Sequence, residues 1–188
     1  MQIVGGRHSG RSIKAPAGLE VRPTSSLTRE SMFNILAHGR LARDGSPLAD
    51  AVVLDAFAGS GANGLEALSR GAAHAVFMES QAAALASLRQ NVRALDEETR
   101  VTILQCDVLH PPRATQACSL ALLDPPYNQG LAAPALAALR TAGWLAPEAL
   151  IAVELMKKEP FAAPSGFRML DERTYGKARV VFLRLTDR

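Results

Sequence analysis

The sequence predicts an α/β protein built on a mostly parallel sheet with helices on both faces, and three observations lead there. Apolar runs of strand length, such as Ala75-Val76-Phe77-Met78, Leu120-Ala121-Leu122-Leu123 and Leu150-Ile151-Ala152-Val153, alternate with helical patterns from residue 51 onward. These runs are continuous rather than alternating, as strands covered on both faces are. Four acids, Asp55, Glu79, Asp107 and Asp124, stand at the ends of successive runs, where sheets of this kind bind ligands. With 188 residues and 48% hydrophobic content the chain suffices for one well-buried domain.

Along the chain, the first 40 residues read as an extension. Short strands near 1–4 and 11–14 form a two-stranded element, and a loop through Arg22-Pro23-Thr24 leads into a helix over 26–37. Ser25 or Ser26 can cap that helix, and Met32, Phe33 and Leu36 recur at helical spacing. Gly39, Gly45 and Pro47 mark a linker into the main domain, 51–188. There the reading is strand 52–57, helix 63–70 stopped by Gly71, strand 75–78, helix 81–95, strand 101–106 and strand 119–123. Helix 132–142, stopped by Gly143, strand 150–155 and two last strands over 167–170 and 178–185, joined by 172–177, complete it.

The most telling motif is Asp124-Pro125-Pro126-Tyr127, delivered directly by the fourth strand. Two prolines lack N–H groups and fix φ, so they end the strand and leave rigid, unpaired carbonyls beside a carboxylate. Such acceptors suit the exocyclic amine of a nucleobase. Tyr127 adds an aromatic face, and stacking a base on one is worth roughly 1–3 kcal/mol.

Gly59-Ser60-Gly61-Ala62-Asn63-Gly64 follows the first strand and fits a dinucleotide fingerprint, but it also fits other nucleoside cofactors. Asp55 discriminates. A carboxylate four residues before the first glycine repels a pyrophosphate and attracts the ammonium and sulfonium of S-adenosylmethionine, which is therefore the expected cofactor. Glu79 is placed to accept from both ribose hydroxyls, Asp107 from an adenine amino group, and Phe57, Cys106 and Val108 to line the pocket.

The net charge of +3 conceals an asymmetry, because residues 1–40 hold six Lys or Arg against two acids, leaving +4 there and −1 in the remainder. Arg7, Arg11, Lys14, Arg22 and Arg29, interleaved with glycines, suit an arm that meets RNA phosphates through side chains and exposed N–H groups. No apolar stretch reaches the roughly 20 residues a membrane span needs, and residues 1–14 lack a secretory pattern. Cys106 and Cys118 lack metal or redox spacing and the four histidines are scattered, so reduced thiols, no metal site and a cytoplasmic setting are expected.

Val53-Leu54-Asp55-Ala56-Phe57-Ala58-Gly59-Ser60-Gly61, continuing through Gly64-Leu65-Glu66-Ala67-Leu68-Ser69-Arg70-Gly71-Ala72, resembles the first motif of the bacterial RsmD-type 16S rRNA guanine-N2 methyltransferases. Gly5-Gly6 with Gly10-Arg11, Arg22-Pro23-Thr24 and Arg29-Glu30-Ser31-Met32-Phe33-Asn34 resemble that family's leading segment. Asp124-Pro125-Pro126-Tyr127 matches its catalytic motif, and Tyr175-Gly176 resembles its tail. Ala56 and Asn63 depart from it, standing where larger apolar residues are expected. The resemblance implies a seven-stranded, Rossmann-like class I methyltransferase. It also implies a target at N2 of one guanine, position 966, of 16S rRNA within the small ribosomal subunit or its assembly intermediate. One compact domain suits a monomer. The rival readings are a DNA or RNA adenine-N6 or cytosine-N4 methyltransferase, which would use the same tetrapeptide, a dinucleotide-dependent oxidoreductase and a non-catalytic RNA-binding module.

Overall fold

The computed structural model describes residues 1–15, 23–38, 41 and 45–186, with side chains of the first helix from residue 27. Seven strands form one sheet in the order β3-β2-β1-β4-β5-β7-β6. Strands β1 (Val52–Ala56), β2 (His74–Glu79), β3 (Val101–Gln105), β4 (Cys118–Leu123) and β5 (Leu145–Met156) are parallel. The final hairpin, β6 (Phe167–Tyr175) and β7 (Ala178–Leu185), joins β5 through β7 in antiparallel register. The winding direction reverses between β1 and β4, so a crevice opens beyond their carboxyl ends.

The pleat sends successive side chains to opposite faces, and two cores result. Val53, Phe77, Leu120, Leu122, Ala152 and Phe182 face one side, where they meet Met32, Phe33 and Leu36 of α1 (Pro23–His38), Leu65 and Leu68 of α2 (Ala62–Ser69), and Leu85 and Leu88 of α3 (Ala82–Ala94). Leu54, Val76, Met78, Ala121, Ile151 and Val181 face the other, against Leu136 and Leu139 of α4 (Ala132–Thr141) and against Trp144. Among the described residues, helices therefore cover both faces, three on one and α4 on the other.

The sequence reading of β5 starts five residues late, because Pro147 and Glu148 look like loop. Cys118 pairs with Leu145 and Leu120 with Leu150, so the additional residues of β5 are looped out, and Glu148 sits at φ +59°. β6 runs past its expected end to Tyr175. It is one of the sheet's two edges, and the charged Arg168, Asp171, Glu172 and Arg173 that obscure its pattern also discourage pairing with another chain.

The N-terminal arm does pair with itself, through the bridge between Gln2 and Ser12 and the Ile3 N–H to Arg11 carbonyl bond of 2.9 Å. It is not, however, a strand held away from the body. Ile3 and Ile13 are buried in the α1–α3 core. The Val4 and Gly5 N–H groups donate to the two oxygens of buried Glu66, at 2.8 and 2.9 Å, and the His8 N–H donates to Ser69 Oγ. A Cβ on Gly6 would lie 1.9 Å from the Ser69 carbonyl oxygen, which is why the pair Gly5-Gly6 can dock on the end of α2. The N–H groups expected to meet phosphates are thus used internally.

Candidate active site

The Asp55 carboxyl sits near the carboxyl end of β1 and is 1% exposed. Its Oδ2 accepts the Gly64 N–H at 2.8 Å, while its Oδ1 is buried with no hydrogen-bond partner. Burial pushes its pKa well above the carboxylate range; the Gly64 N–H opposes that, and Asp124 and Glu79 add to it. A buried, incompletely satisfied carboxyl is costly to keep, and it suits a cationic ligand. The following turn is left-handed at Phe57, Gly59 and Gly61. Gly61 and Gly64 are packing glycines, since a Cβ would fall 2.3 Å from Leu88 Cδ1 or from Phe77 Cε1. Gly59 differs: a Cβ there would meet open space, so that side of the turn is free for a ligand.

At the end of β2, buried Glu79 accepts the Gly59 N–H through Oε2 and the Gln81 N–H through Oε1, each at 2.8 Å. It locks the glycine turn to the next strand. Buried Ser60 is held from behind by the Asn91 amide, which donates to the Ser60 carbonyl at 2.9 Å. Asp107 is exposed. Its Oδ1 accepts the Leu109 N–H at 2.9 Å, its Oδ2 lies 3.0 Å from His110 Nδ1, and these two partners hold its carboxyl below the usual range. Cys106 is half-buried, its thiol pushed up by burial, and Val108 is buried in the α4-side core.

The tetrapeptide leaves β4 beside these groups. The Asp124 N–H reaches the Ala56 carbonyl of β1 at 3.4 Å, Pro125 is buried and Pro126 exposed. Two acids on the β5 side grip Tyr127 and the loop beyond it. The Tyr127 hydroxyl donates to Glu154 Oε1 at 2.6 Å, and Glu159 accepts the N–H groups of Asn128 at 2.9 Å and Gly130 at 3.3 Å. Both glutamates are buried. Sequence reasoning missed them, although a charge inside the apolar run Ile151-Ala152-Val153-Glu154-Leu155 was a readable signal.

The four described arm cations do not share one surface. Arg29 is 3% exposed, donates to the Gln2 carbonyl at 2.8 Å and lies 3.9 Å from Glu66. Burial lowers its pKa, and the charges of Glu66, Glu154, Asp55 and Asp124 oppose that. Arg29 is therefore an internal counterion of the acidic site and not a phosphate contact, because its helix turns it into the core. Arg7 pairs with Glu97 and Arg11 donates to the Ala94 carbonyl, both at the carboxyl end of α3. Helices α2 and α3 run antiparallel to the strands, so these two cations stand at the edge of the sheet opposite Asp124. Lys14 is exposed, its backbone paired with Asn91; Arg22 lies outside the described residues.

A parallel sheet that reverses beside acids at its strand ends, with an Asp-Pro-Pro-Tyr turn leaving β4, defines a class I methyltransferase fold, and the chain is a methyltransferase. The model of the family described as conserved hypothetical protein 95 matches residues 1–184, and the chain belongs to that family, the RsmD family. It is 36% identical over 154 residues to ribosomal RNA small subunit methyltransferase D of Escherichia coli K12, covering 82% of this chain and 74% of that protein. The Haemophilus influenzae protein of the same name is 31% identical over 180 residues, covering 94% and 89%. The solved structure of the Escherichia coli methyltransferase yhhF matches with a TM-score of 0.83 at 32% identity, over 99% of this chain and 98% of that one. Membership implies S-adenosylmethionine as methyl donor, and the orphaned Asp55 Oδ1 with the open side of Gly59 fits a cationic donor.

Proposed function

We propose that this enzyme methylates the exocyclic N2 of one guanine of 16S rRNA, the position numbered 966, in the small ribosomal subunit or an assembly intermediate. The observation that carries the reading is the Asp124-Pro125-Pro126-Tyr127 turn, anchored by Glu154 and Glu159 next to buried Asp55. Ribosomal RNA as substrate is supported by the names of the Escherichia coli and Haemophilus influenzae relatives.

S-adenosylmethionine supplies a methyl group already activated on a sulfonium. The protein's share of the work is then positioning. Asp55 would hold the positive end of the donor, Glu79 its ribose hydroxyls and Asp107 its adenine amino group. Gly59-Ser60-Gly61 shape the turn beneath it, and Phe57, Cys106 and Val108 wall the pocket. Asp124 and the Pro125 carbonyl accept from the guanine amine, orient its lone pair and stabilise the positive charge that builds there. Pro126 keeps the turn rigid, and Tyr127 stacks on a base drawn out of its surroundings. Asp124 or water takes the departing proton, which needs no raised pKa because a methylated amine cation is a strong acid. Of the arm cations, Lys14 and Arg22 remain assigned to phosphate contact.

The test is incubation with isotopically labelled S-adenosylmethionine and small ribosomal subunits lacking their native methylations, followed by RNA digestion and mass spectrometry. Label is expected in N2-methylguanosine. Label in N6-methyladenosine or N4-methylcytidine would overturn the base assignment, and absence of label would overturn the substrate class.

A further inference from the structure

Three exposed lysines, Lys157, Lys158 and Lys177, converge on the corner of the sheet next to the tetrapeptide. Lys157 and Lys158 form the turn immediately after β5, and Lys177 forms with Gly176 the tip of the β6–β7 hairpin. The Lys157 N–H donates to the Lys177 carbonyl at 2.8 Å, and Met156 pairs with Ala178, so the two turns are joined. Both lie at the carboxyl edge of the parallel strands, the edge that carries Asp124. Three residues before Lys157, Glu154 holds the Tyr127 hydroxyl. Among the described residues none of the three ammonium groups enters an ion pair, whereas nearby Arg173 and Arg179 are matched by Asp171 and Glu172.

Strand order separates the acids assigned to the donor from the exposed lysines, the acids of the β5 side, Glu154 and Glu159, being buried and bonded to Tyr127 and the loop beyond it. Asp55, Glu79 and Asp107 lie over β1 to β3, on one side of β4, and the lysines lie over β5 and β7 on the other. Neighbouring strands are about 4.8 Å apart, so the lysine corner stands about 10 Å from the tetrapeptide. That is the reach of the phosphates flanking a base held at Tyr127. A cationic donor is thereby drawn to one side and a polyanion to the other. We propose that Lys157, Lys158 and Lys177 bind the phosphodiester backbone next to the target nucleotide, forming an RNA contact separate from the N-terminal arm. The inference rests on the rRNA reading above and goes beyond it by naming the surface.

The experiment compares wild type, the triple variant Lys157→Ala/Lys158→Ala/Lys177→Ala and the triple Lys→Arg variant. Binding to small ribosomal subunits lacking native methylations is followed over a range of salt concentrations, with KM, kcat, donor affinity and melting temperature measured alongside. For three phosphate contacts, the slope of log K against log salt should shrink by about 2 in the alanine variant. KM for subunits should rise, while kcat at saturation, donor affinity and melting temperature hold, and the arginine variant should restore the slope. An unchanged slope and KM in the alanine variant, with wild type active, would sink this inference alone. So would equal losses in the alanine and arginine variants, since shape rather than charge would then be responsible. A wild-type enzyme that leaves the subunits unlabelled would remove the rRNA reading and this inference with it.

Discussion

Each carboxylate of the site has a different environment, and the roles proposed for them can be tested separately. Asp124 is the group expected to touch the amine. Asp124→Ala should lower kcat by roughly 10²–10³, the effect of removing one preorganised partner of a developing charge, with donor affinity nearly unchanged by calorimetry. Equal losses in both would mark Asp124 as structural. Asp55 has the opposite character, since its folded pKa lies above its unfolded value near 3.8. Such a group binds its proton more tightly when folded, so its contribution to stability is complete below about pH 3.8 and is lost as pH rises through the folded pKa. Asp55→Asn keeps an acceptor for the Gly64 N–H and removes that loss. Its melting temperature should exceed wild type at neutral pH, the gap closing on acidification, while donor binding weakens. A wild-type advantage at neutral pH would contradict this account. Glu66, which lies in the first motif but was given no role there, accepts from Val4, Gly5 and Arg70 and faces Arg29. Glu66→Ala should cost about 3–5 kcal/mol, as breaking a buried charge cluster does, measurable by denaturant unfolding.

Among the elements, the turn after β4 was legible as a place but not as a mechanism. Its prolines and its position after a buried run identified it, yet the groups that hold it come from β5 and the turn after it, 27 to 31 residues later. Glu159→Ala leaves two N–H groups without their acceptor, at a cost of about 1–3 kcal/mol. The expected signature is a fall in kcat with unchanged donor affinity. If the loop acts through Tyr127's ring, Tyr127→Phe should keep activity within about tenfold, whereas Tyr127→Ala forfeits stacking worth roughly 1–3 kcal/mol. Steady-state kinetics on small subunits separates the two, and equal losses would shift the role to the Glu154 hydrogen bond. Helix α1 teaches the reverse lesson. Its sequence places Arg29 in a basic segment, but helical periodicity puts it on the face shared with Met32, Phe33 and Leu36. Arg29 is consequently inside.

At the scale of the molecule, arm and sheet share one core, since Ile3 and Ile13 belong to the same buried cluster as Phe33, Leu68 and Phe182. Thermal unfolding should show one transition for the whole chain, and deletion of residues 1–13 should lower its midpoint by well over 10 °C or abolish folding; a second, separable transition for the arm would refute this. No helix among the described residues is long and apolar enough to cross a membrane. Local pattern was enough to read the α/β class, the parallel core strands, the acids at their ends and the Asp-Pro-Pro-Tyr turn, because these depend on periodicity and on residues whose backbone chemistry is decisive. Tertiary structure alone decided which charges are internal and which face solvent. It placed Arg7 and Arg11 at the far edge, turned Arg29 toward the acids, and brought Glu154, Glu159 and the three lysines to the reaction edge. Strand order and helix packing set those neighbours through contacts between residues distant in sequence, which no local pattern records.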